Sequence, residues 1–162
     1  MLKILVDMRA DEAALERLQA RDDCDVRLVA EPDESGARPL PEDLIADRQA
    51  LLCTFPPANL DAMPDLQWIQ IASTGYSQLF GLDLPDKGIR ACNARGAFDV
   101  PIAEWTTAMM IDLARDLRGM IRNQENAAWD RSARFQQEIR GRTVGFWGYG
   151  GIGRESARLA RA

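Results

Sequence analysis

The feature that most constrains this chain is a cluster of four glycines near its C-terminal end. The cluster reads Gly148-Tyr149-Gly150-Gly151-Ile152-Gly153 and fits the pattern G-x-G-x-x-G. An apolar run at residues 143–147 precedes it, and helix-forming residues at 152–162 follow it. This order predicts a strand, a tight turn and a helix, which is the opening βα unit of a dinucleotide-binding domain.

At three of these positions glycine is required, each time for a different physical reason. Gly148 permits the tight turn, Gly150 lets the backbone approach a pyrophosphate, and Gly153 lets the helix pack against the strand. Gly151 adds freedom where the helix starts. The helix N-terminus then offers unpaired N–H groups and a partial positive charge to the phosphates. We therefore predict that residues 148–153 bind NAD or NADP.

The choice between these two cofactors stays open. The acidic residue that holds the adenosine ribose is expected about 20 residues after the glycine cluster, which is beyond residue 162. A glycine-rich turn without any ligand is the alternative interpretation of the cluster, and it is the weaker one because spaced glycines at such a junction are otherwise costly.

The first hundred residues alternate short apolar runs with helix-forming segments. Strands are predicted at residues 2–6, 25–30, 50–55, 66–71 and 89–92, with helices at 11–20 and 41–47. Strands that alternate with helices indicate an α/β fold with a parallel sheet covered on both faces.

A longer helix is predicted after this alternation, over residues 100–126. Its apolar face follows the i, i+3, i+4, i+7 spacing and comprises Ile102, Trp105, Thr106, Met109, Leu113, Leu117 and Met120. Asp99 is the expected N-cap, and Pro101 falls in the first turn, where its missing N–H costs little. The face is either buried within the chain or paired with another copy, and the sequence leaves both open. The polar residues 129–140 are predicted to form a linker.

A second candidate site follows the strand predicted at residues 66–71. The segment reads Ile71-Ala72-Ser73-Thr74-Gly75-Tyr76-Ser77. Open α/β sheets bind ligands at the carboxyl ends of their strands, and a Ser-Thr-Gly turn can aim consecutive N–H groups at a carboxylate. An ordinary polar loop is an equally good interpretation.

Composition excludes several classes of function. The formal charge of −5 argues against nucleic acid as a partner. The three cysteines, Cys24, Cys53 and Cys92, are widely spaced and the chain has no histidine, so no metal site is predicted. Unpaired thiols are typical of a reducing compartment, and the longest uncharged run, residues 66–82, would make a poor membrane span. We expect a cytoplasmic protein.

Taken together, these motifs resemble the D-isomer-specific 2-hydroxyacid dehydrogenase family, and its phosphoglycerate-dehydrogenase-like branch in particular. The resemblance covers nearly the whole chain. Its residues are Leu66-Gln67-Trp68-Ile69-Gln70, Ser73-Thr74-Gly75-Tyr76-Ser77, Asn93-Ala94-Arg95-Gly96, Val100-Pro101-Ile102-Ala103-Glu104, Trp129, and Ile139-Arg140-Gly141-Arg142-Thr143-Val144-Gly145-Phe146-Trp147 running into the glycine cluster.

The resemblance implies a fold and a domain organisation. Residues 1–98 would form a substrate domain with a flavodoxin-like parallel sheet. Residues 99–140 would form a long connecting helix and linker. Two copies of the chain would meet along this helix, from Ile102 to Met120, to form a homodimer. Residues 141–162 would begin a Rossmann domain for NAD or NADP, which is truncated in this chain.

The resemblance also implies an activity. Family members are NAD(P)-dependent oxidoreductases that act on the CH–OH group of a small D-2-hydroxy acid, of the phosphoglycerate, hydroxypyruvate or glyoxylate type. The backbone N–H groups of Thr74, Gly75 and Tyr76 would hold the substrate carboxylate, and Thr54 and Phe55 would border the site.

One departure from the family limits what this chain can do alone. The family's catalytic Arg, acidic residue and His lie later in its chains, and this sequence contains no histidine. We therefore assign no catalytic residue here and expect the 162-residue chain to be inactive alone. The alternative hypothesis is a non-catalytic dimerisation or binding module built on the same scaffold.

Overall fold

The computed structural model describes residues 1–32, 35–131 and 136–161. The chain separates into two compact units, Met1–Arg95 and Gly96–Ala162. No described helix is both long and apolar enough to cross a membrane.

The first unit is built on a five-stranded parallel sheet. The strands are β1 (Leu2–Asp7), β2 (Cys24–Leu28), β3 (Ala50–Cys53), β4 (Trp68–Ile71) and β5 (Arg90–Cys92). Their order across the sheet is β2-β1-β3-β4-β5, which is the flavodoxin-like order. The predicted α/β class with a parallel sheet is confirmed.

Short helices connect these strands. Helix α1 spans Glu12–Gln19 and begins at Asp11, whose carboxylate accepts the N–H of Ala14 at 2.9 Å. Helix α2 spans Glu42–Ile45, and two 3₁₀ turns occupy Leu60–Ala62 and Ser77–Leu79. The predicted helices at 11–20 and 41–47 therefore exist, with bounds one or two residues shorter at each end.

Apolar residues cover both faces of the sheet. Leu5, Leu51 and Ile69 lie side by side in the ladder and are fully buried on one face. Ile4, Val6 and Ala50 are buried on the other face beneath α1. Complete burial of a Leu or Ile side chain stabilises the fold by about 1.5–3 kcal/mol, so this alternation fixes which residues of β1 face each layer.

Strand β3 is shorter than the sequence predicts. The predicted strand at 50–55 ends at Cys53, so Thr54 and Phe55 lie in the following loop. The next residues are Pro56 and Pro57, which have no N–H to donate to a ladder, and the chain leaves the sheet before them. Likewise β4 begins at Trp68 rather than at residue 66.

The second unit contains three helices within its described residues: α3 (Asp99–Arg115), α4 (Leu117–Glu125) and α5 (Gly151–Arg161). The prediction of one helix over residues 100–126 is wrong. The chain breaks at Asp116, which adopts the left-handed conformation with φ 49° and ψ 49°. The Asp116 carboxylate accepts the N–H of Gly119 at 3.2 Å and caps α4, a local bond that competes with the continuous helix.

Two further predictions about this unit are also corrected. Phe98, not Asp99, is the N-cap of α3, and it makes no side-chain capping bond. The strand predicted at residues 143–147 is not formed: within 136–161 no strand pairs with it, and Trp147 is fully exposed. A strand needs a neighbour to satisfy its backbone groups. The predicted linker at 129–140 is non-helical where it is described, and residues 132–135 lie outside the described part.

The apolar face predicted on the long helix is largely exposed in this unit. Ile102, Trp105 and Leu113 expose 38%, 64% and 81% of their surface. Helix α3 instead packs against α5, with Ala103 fully buried.

Candidate functional site

The candidate substrate residues lie where the strands of the first unit end. The Ala72 N–H donates to the Cys53 carbonyl at 2.9 Å, so the loop after β4 runs directly beside the loop after β3. Thr54 and Phe55 in the latter loop are half-buried. The sheet topology thus brings together two of the predicted segments, because carboxyl ends of parallel strands share one edge.

The loop after β4 leaves a row of backbone donors unused. Thr74 is half-buried, whereas Gly75 and Tyr76 are exposed. Among the residues that the structure describes, the N–H groups of these three residues have no hydrogen-bond acceptor. Consecutive backbone N–H groups without an acceptor are available to an anion.

The carbonyl groups of the same loop are held in place. Asn93 Nδ2 donates to the Thr74 carbonyl at 2.8 Å, and the Leu79 N–H donates to the Tyr76 carbonyl at 3.0 Å. The Thr74 hydroxyl donates to the Ala94 carbonyl at 3.3 Å. Because a peptide group is planar and trans, a fixed carbonyl also fixes the direction of the N–H across that bond.

Sequence reasoning missed Gln78, which connects the two loops. Its Nε2 donates to the Ser73 hydroxyl at 2.8 Å and to the Thr54 carbonyl at 3.1 Å. A glutamine in a polar turn carries no distinctive spacing, so the sequence held no signal for this role.

An open cavity of about 480 Å³ adjoins the loop. Its lining residues are Tyr76, Leu79, Ala91, Cys92 and Asn93. The Tyr76 ring meets the Phe80 ring edge-on at a centroid distance of 5.6 Å. The volume falls within the range typical of small-molecule pockets.

A buried ion pair lies at the same edge of the sheet. Asp7, at the end of β1, is 1% exposed, and its two carboxylate oxygens accept bonds from Arg38 at 2.9 and 3.1 Å.

Burial, and secondly the Asp7 carboxylate, raise the pKa of the Cys53 thiol to about 12. Cys53 is therefore an unreactive thiol at neutral pH rather than a nucleophile.

In the second unit, the glycine cluster forms a turn that leads into α5. Gly148 has φ 94°, a conformation that favours glycine. A Cβ on Gly153 would collide with the Gly148 carbonyl oxygen, so the helix start lies against the turn. The Arg154 N–H donates to the Gly150 carbonyl at 2.9 Å and closes the first helical turn. Gly148 has the turn conformation that the sequence predicts, whereas Gly153 lies against the turn at Gly148 and not against a strand, because no strand forms at residues 143–147.

The remaining residues of the cluster differ in accessibility. Tyr149 is 68% exposed, and Ile152 is half-buried. A Cβ placed on Gly150 would have no described atom within 4 Å, whereas one on Gly151 would meet the carboxylate of Asp99. Gly148 and Gly150 are therefore the two glycines of the cluster at which a Cβ would meet open space among the described residues.

The described residues contain no group of three or more His, Cys, Asp or Glu side chains that could hold a metal ion. The fold and the glycine turn place the chain in the class of parallel α/β proteins that carry a dinucleotide-binding glycine motif. The family model described as "D-isomer specific 2-hydroxyacid dehydrogenase, NAD binding domain" matches residues 107–162. Residues 107–162 therefore correspond to the NAD-binding domain of the D-isomer-specific 2-hydroxyacid dehydrogenases, a family of NAD-dependent oxidoreductases.

Relatives along the whole chain agree with this. The chain is 26% identical over 161 residues to a hydroxypyruvate reductase of Thermotoga maritima, covering 99% of this chain and 52% of the relative. It is 26% identical over 162 residues to a D-3-phosphoglycerate dehydrogenase of Methanocaldococcus jannaschii, covering 100% of this chain and 30% of the relative.

A solved structure supports the fold. The D-lactate dehydrogenase of Aquifex aeolicus, complexed with NAD and lactic acid, superposes with a TM-score of 0.80 at 18% identity, over 98% of this chain and 48% of that one. The chain therefore spans about half the length, or less, of the proteins that it matches.

Proposed function

We propose that the complete protein is an NAD(P)-dependent oxidoreductase acting on the CH–OH group of a small D-2-hydroxy acid. In the reverse direction it would reduce a 2-keto acid of the phosphohydroxypyruvate, hydroxypyruvate or glyoxylate type. The single observation that carries this proposal is the row of unengaged N–H groups at Thr74, Gly75 and Tyr76. Such a row recognises a carboxylate, the group that all these acids share.

Each candidate residue has a proposed part in binding. The three N–H groups hold the substrate carboxylate, and Thr54 and Phe55 border the bound acid. Residues 148–153 hold the cofactor pyrophosphate at the N-terminus of α5, where unpaired N–H groups and the helix dipole favour an anion. When bound, the nicotinamide supplies or accepts the hydride at C2 of the acid. No proton-transfer residue is assigned, since the chain has no histidine.

The proposed domain roles follow the family. Residues 1–98 form the substrate domain, residues 99–140 the connecting helix and linker, and residues 141–162 the start of the domain for NAD or NADP. We expect the 162-residue chain to show no turnover alone. The three free thiols favour the cytoplasm as its location.

The decisive experiment compares the complete protein with the isolated chain. NADH and NADPH oxidation is followed spectroscopically with glyoxylate, hydroxypyruvate and 3-phosphohydroxypyruvate. We expect turnover by the complete protein with at least one acid and none by residues 1–162. Failure of the complete protein on every 2-keto acid would refute the proposed activity, and turnover by the purified chain would refute its inactivity.

A second function, a non-catalytic dimerisation module, is favoured by the exposed side chains between Ile102 and Met120. Leu113 is 81% exposed and Trp105 is 64% exposed, and a homodimer would cover such surface. Sedimentation of the wild-type chain and of Leu113→Glu tests this. We expect a dimer that the substitution dissociates, and a wild-type monomer at all concentrations would contradict it.

A further inference from the structure

Gln78 stands apart from the other residues around the anion-binding loop because its side chain reaches two loops at once. It is half-buried on the 3₁₀ turn Ser77–Leu79. One amide nitrogen, Nε2, donates both to the Ser73 hydroxyl at 2.8 Å and to the Thr54 carbonyl at 3.1 Å. A neutral amide provides these bonds without placing a negative charge beside an anion site.

The bond to Ser73 is the first link of a chain. Having accepted from Gln78, the Ser73 hydroxyl donates its own proton to the Gly75 carbonyl at 2.8 Å. Hydrogen bonds in such a chain polarise one another. The chain therefore ends on a backbone carbonyl inside the loop that carries the unused donors.

The orientation of that carbonyl determines a donor. The Gly75 carbonyl and the Tyr76 N–H belong to one planar trans peptide group and point in opposite directions. Holding the carbonyl through Ser73 therefore holds the Tyr76 N–H. The Gly75 N–H is fixed separately, because Asn93 holds the Thr74 carbonyl at 2.8 Å. A Cβ placed on Gly75 would meet no described atom within 4 Å, so the loop is open on that side.

We propose that Gln78 is a positioning residue that, through Ser73 and Gly75, directs the Tyr76 N–H toward the substrate carboxylate. Its second bond, to the Thr54 carbonyl, holds the bordering loop in a fixed position relative to the Tyr76 N–H. The inference rests on the proposed function, since it assigns a role within the same carboxylate site.

The first test uses the ¹⁵N-labelled chain titrated with oxalate, an unreactive analogue of a 2-keto acid. In the wild type, oxalate is expected to shift the amide resonances of both Gly75 and Tyr76. In Gln78→Met, which keeps the length of the side chain but cannot donate, the Kd is expected to rise about tenfold, the order of one hydrogen bond. The Tyr76 shift should be lost and the Gly75 shift retained. The matched control is Gln19→Met, at an exposed position of α1.

The outcomes separate this inference from the function on which it rests. Equal Kd values and equal Tyr76 shifts in wild type and Gln78→Met would overturn the role of Gln78 and leave the carboxylate site intact. No oxalate-induced shift at Gly75 or Tyr76 in the wild type would overturn both. If Gln78→Met loses its spectral dispersion, Gln78→Leu, which is also neutral and cannot donate, replaces it.

A kinetic measurement on the complete protein gives a readout that a merely structural role would not move. Gln78→Met is expected to raise KM for the 2-keto acid about tenfold with kcat changed little, and Gln78→Asn to restore part of the loss. A reduced kcat at unchanged KM would contradict the positioning role.

Discussion

The carboxylate of Asp99, the first residue of α3, lies directly against Gly151, the first residue of α5. A Cβ at position 151 would meet the carboxylate itself. Among the described residues no N–H of α5 donates to this carboxylate, so the contact is one of close packing and not a helix cap. Gly151 is therefore required for this approach and not only for freedom at the helix start.

A double-mutant cycle tests the contact between Asp99 and Gly151. In the wild-type background, Gly151→Ala is expected to destabilise the chain because the Asp99 side chain must move away. In an Asp99→Ala background the same change should stabilise by about 0.4–1 kcal/mol, because alanine loses less conformational freedom than glycine on folding. The free energy of unfolding in urea measures both effects. An identical effect of Gly151→Ala in the two backgrounds would show that the carboxylate does not restrict this position.

Substitutions at Gly150 and Gly153 distinguish an effect on cofactor binding from an effect on folding. A methyl group on Gly150 meets no described atom within 4 Å, so Gly150→Ala should keep the melting temperature and lose NADH affinity at least tenfold, by filling the space for the pyrophosphate. Gly153→Ala should lower both, because its methyl group collides with the Gly148 carbonyl. Thermal unfolding and NADH fluorescence titration measure the pair. Unchanged NADH binding by Gly150→Ala would contradict the phosphate site.

The cysteines should differ sharply in reactivity. Burial raises the pKa of Cys53 to about 12, whereas Cys92 is exposed. Iodoacetamide at pH 8 is therefore expected to modify Cys92 in the folded chain and to spare Cys53 until the protein is unfolded in urea. Peptide mass spectrometry locates the modification, and Cys92→Ser is the control. Rapid modification of Cys53 in the folded chain would disprove its protection.

Some features were predictable from the sequence because they depend on neighbouring residues alone. The apolar residues of β1 and β3 already predict buried strands, and the glycines of the cluster already predict a turn. The break at Asp116 was not predictable from periodicity, because the apolar spacing continues across it while a local carboxylate bond to Gly119 favours the left-handed conformation. The strand expected at 143–147 failed for the opposite reason, since pairing requires a partner strand.

The candidate site divides in the same way. The loop at Thr74 and Gly75 was predictable from its place after a strand and its small polar residues. Gln78 was not, because its partners Ser73 and Thr54 come together only when β3 and β4 pair. The contact between Asp99 and Gly151 was not predictable either, because the two residues are distant in sequence. From the sequence, Asp99 was expected to be the N-cap of the long helix.

The ionic cluster at Arg48 gives a prediction about pH. Arg48 is fully buried, with Asp25 at 2.9 Å and Asp47 at 2.7 Å. Burial by itself lowers the pKa of Arg48, but the bonds and charges of these two carboxylates outweigh it and the pKa is raised. In turn, hydrogen bonds from Arg48, and then from Lys3, hold the pKa of Asp47 well below its usual range.

A lowered carboxyl pKa stabilises the folded state only while the unfolded carboxyl is also ionised. The stabilisation from Asp47 is therefore complete above the unfolded pKa of about 3.9 and is lost as the pH falls from there toward the lower folded value. Asp47→Asn should lower the urea midpoint at pH 7, and the difference from wild type should shrink at pH 3. Asp22→Asn, at an exposed position, is the control and should change little. A difference at pH 3 as large as that at pH 7 would show that the Asp47 contacts act through packing or neutral hydrogen bonds and not through its charge.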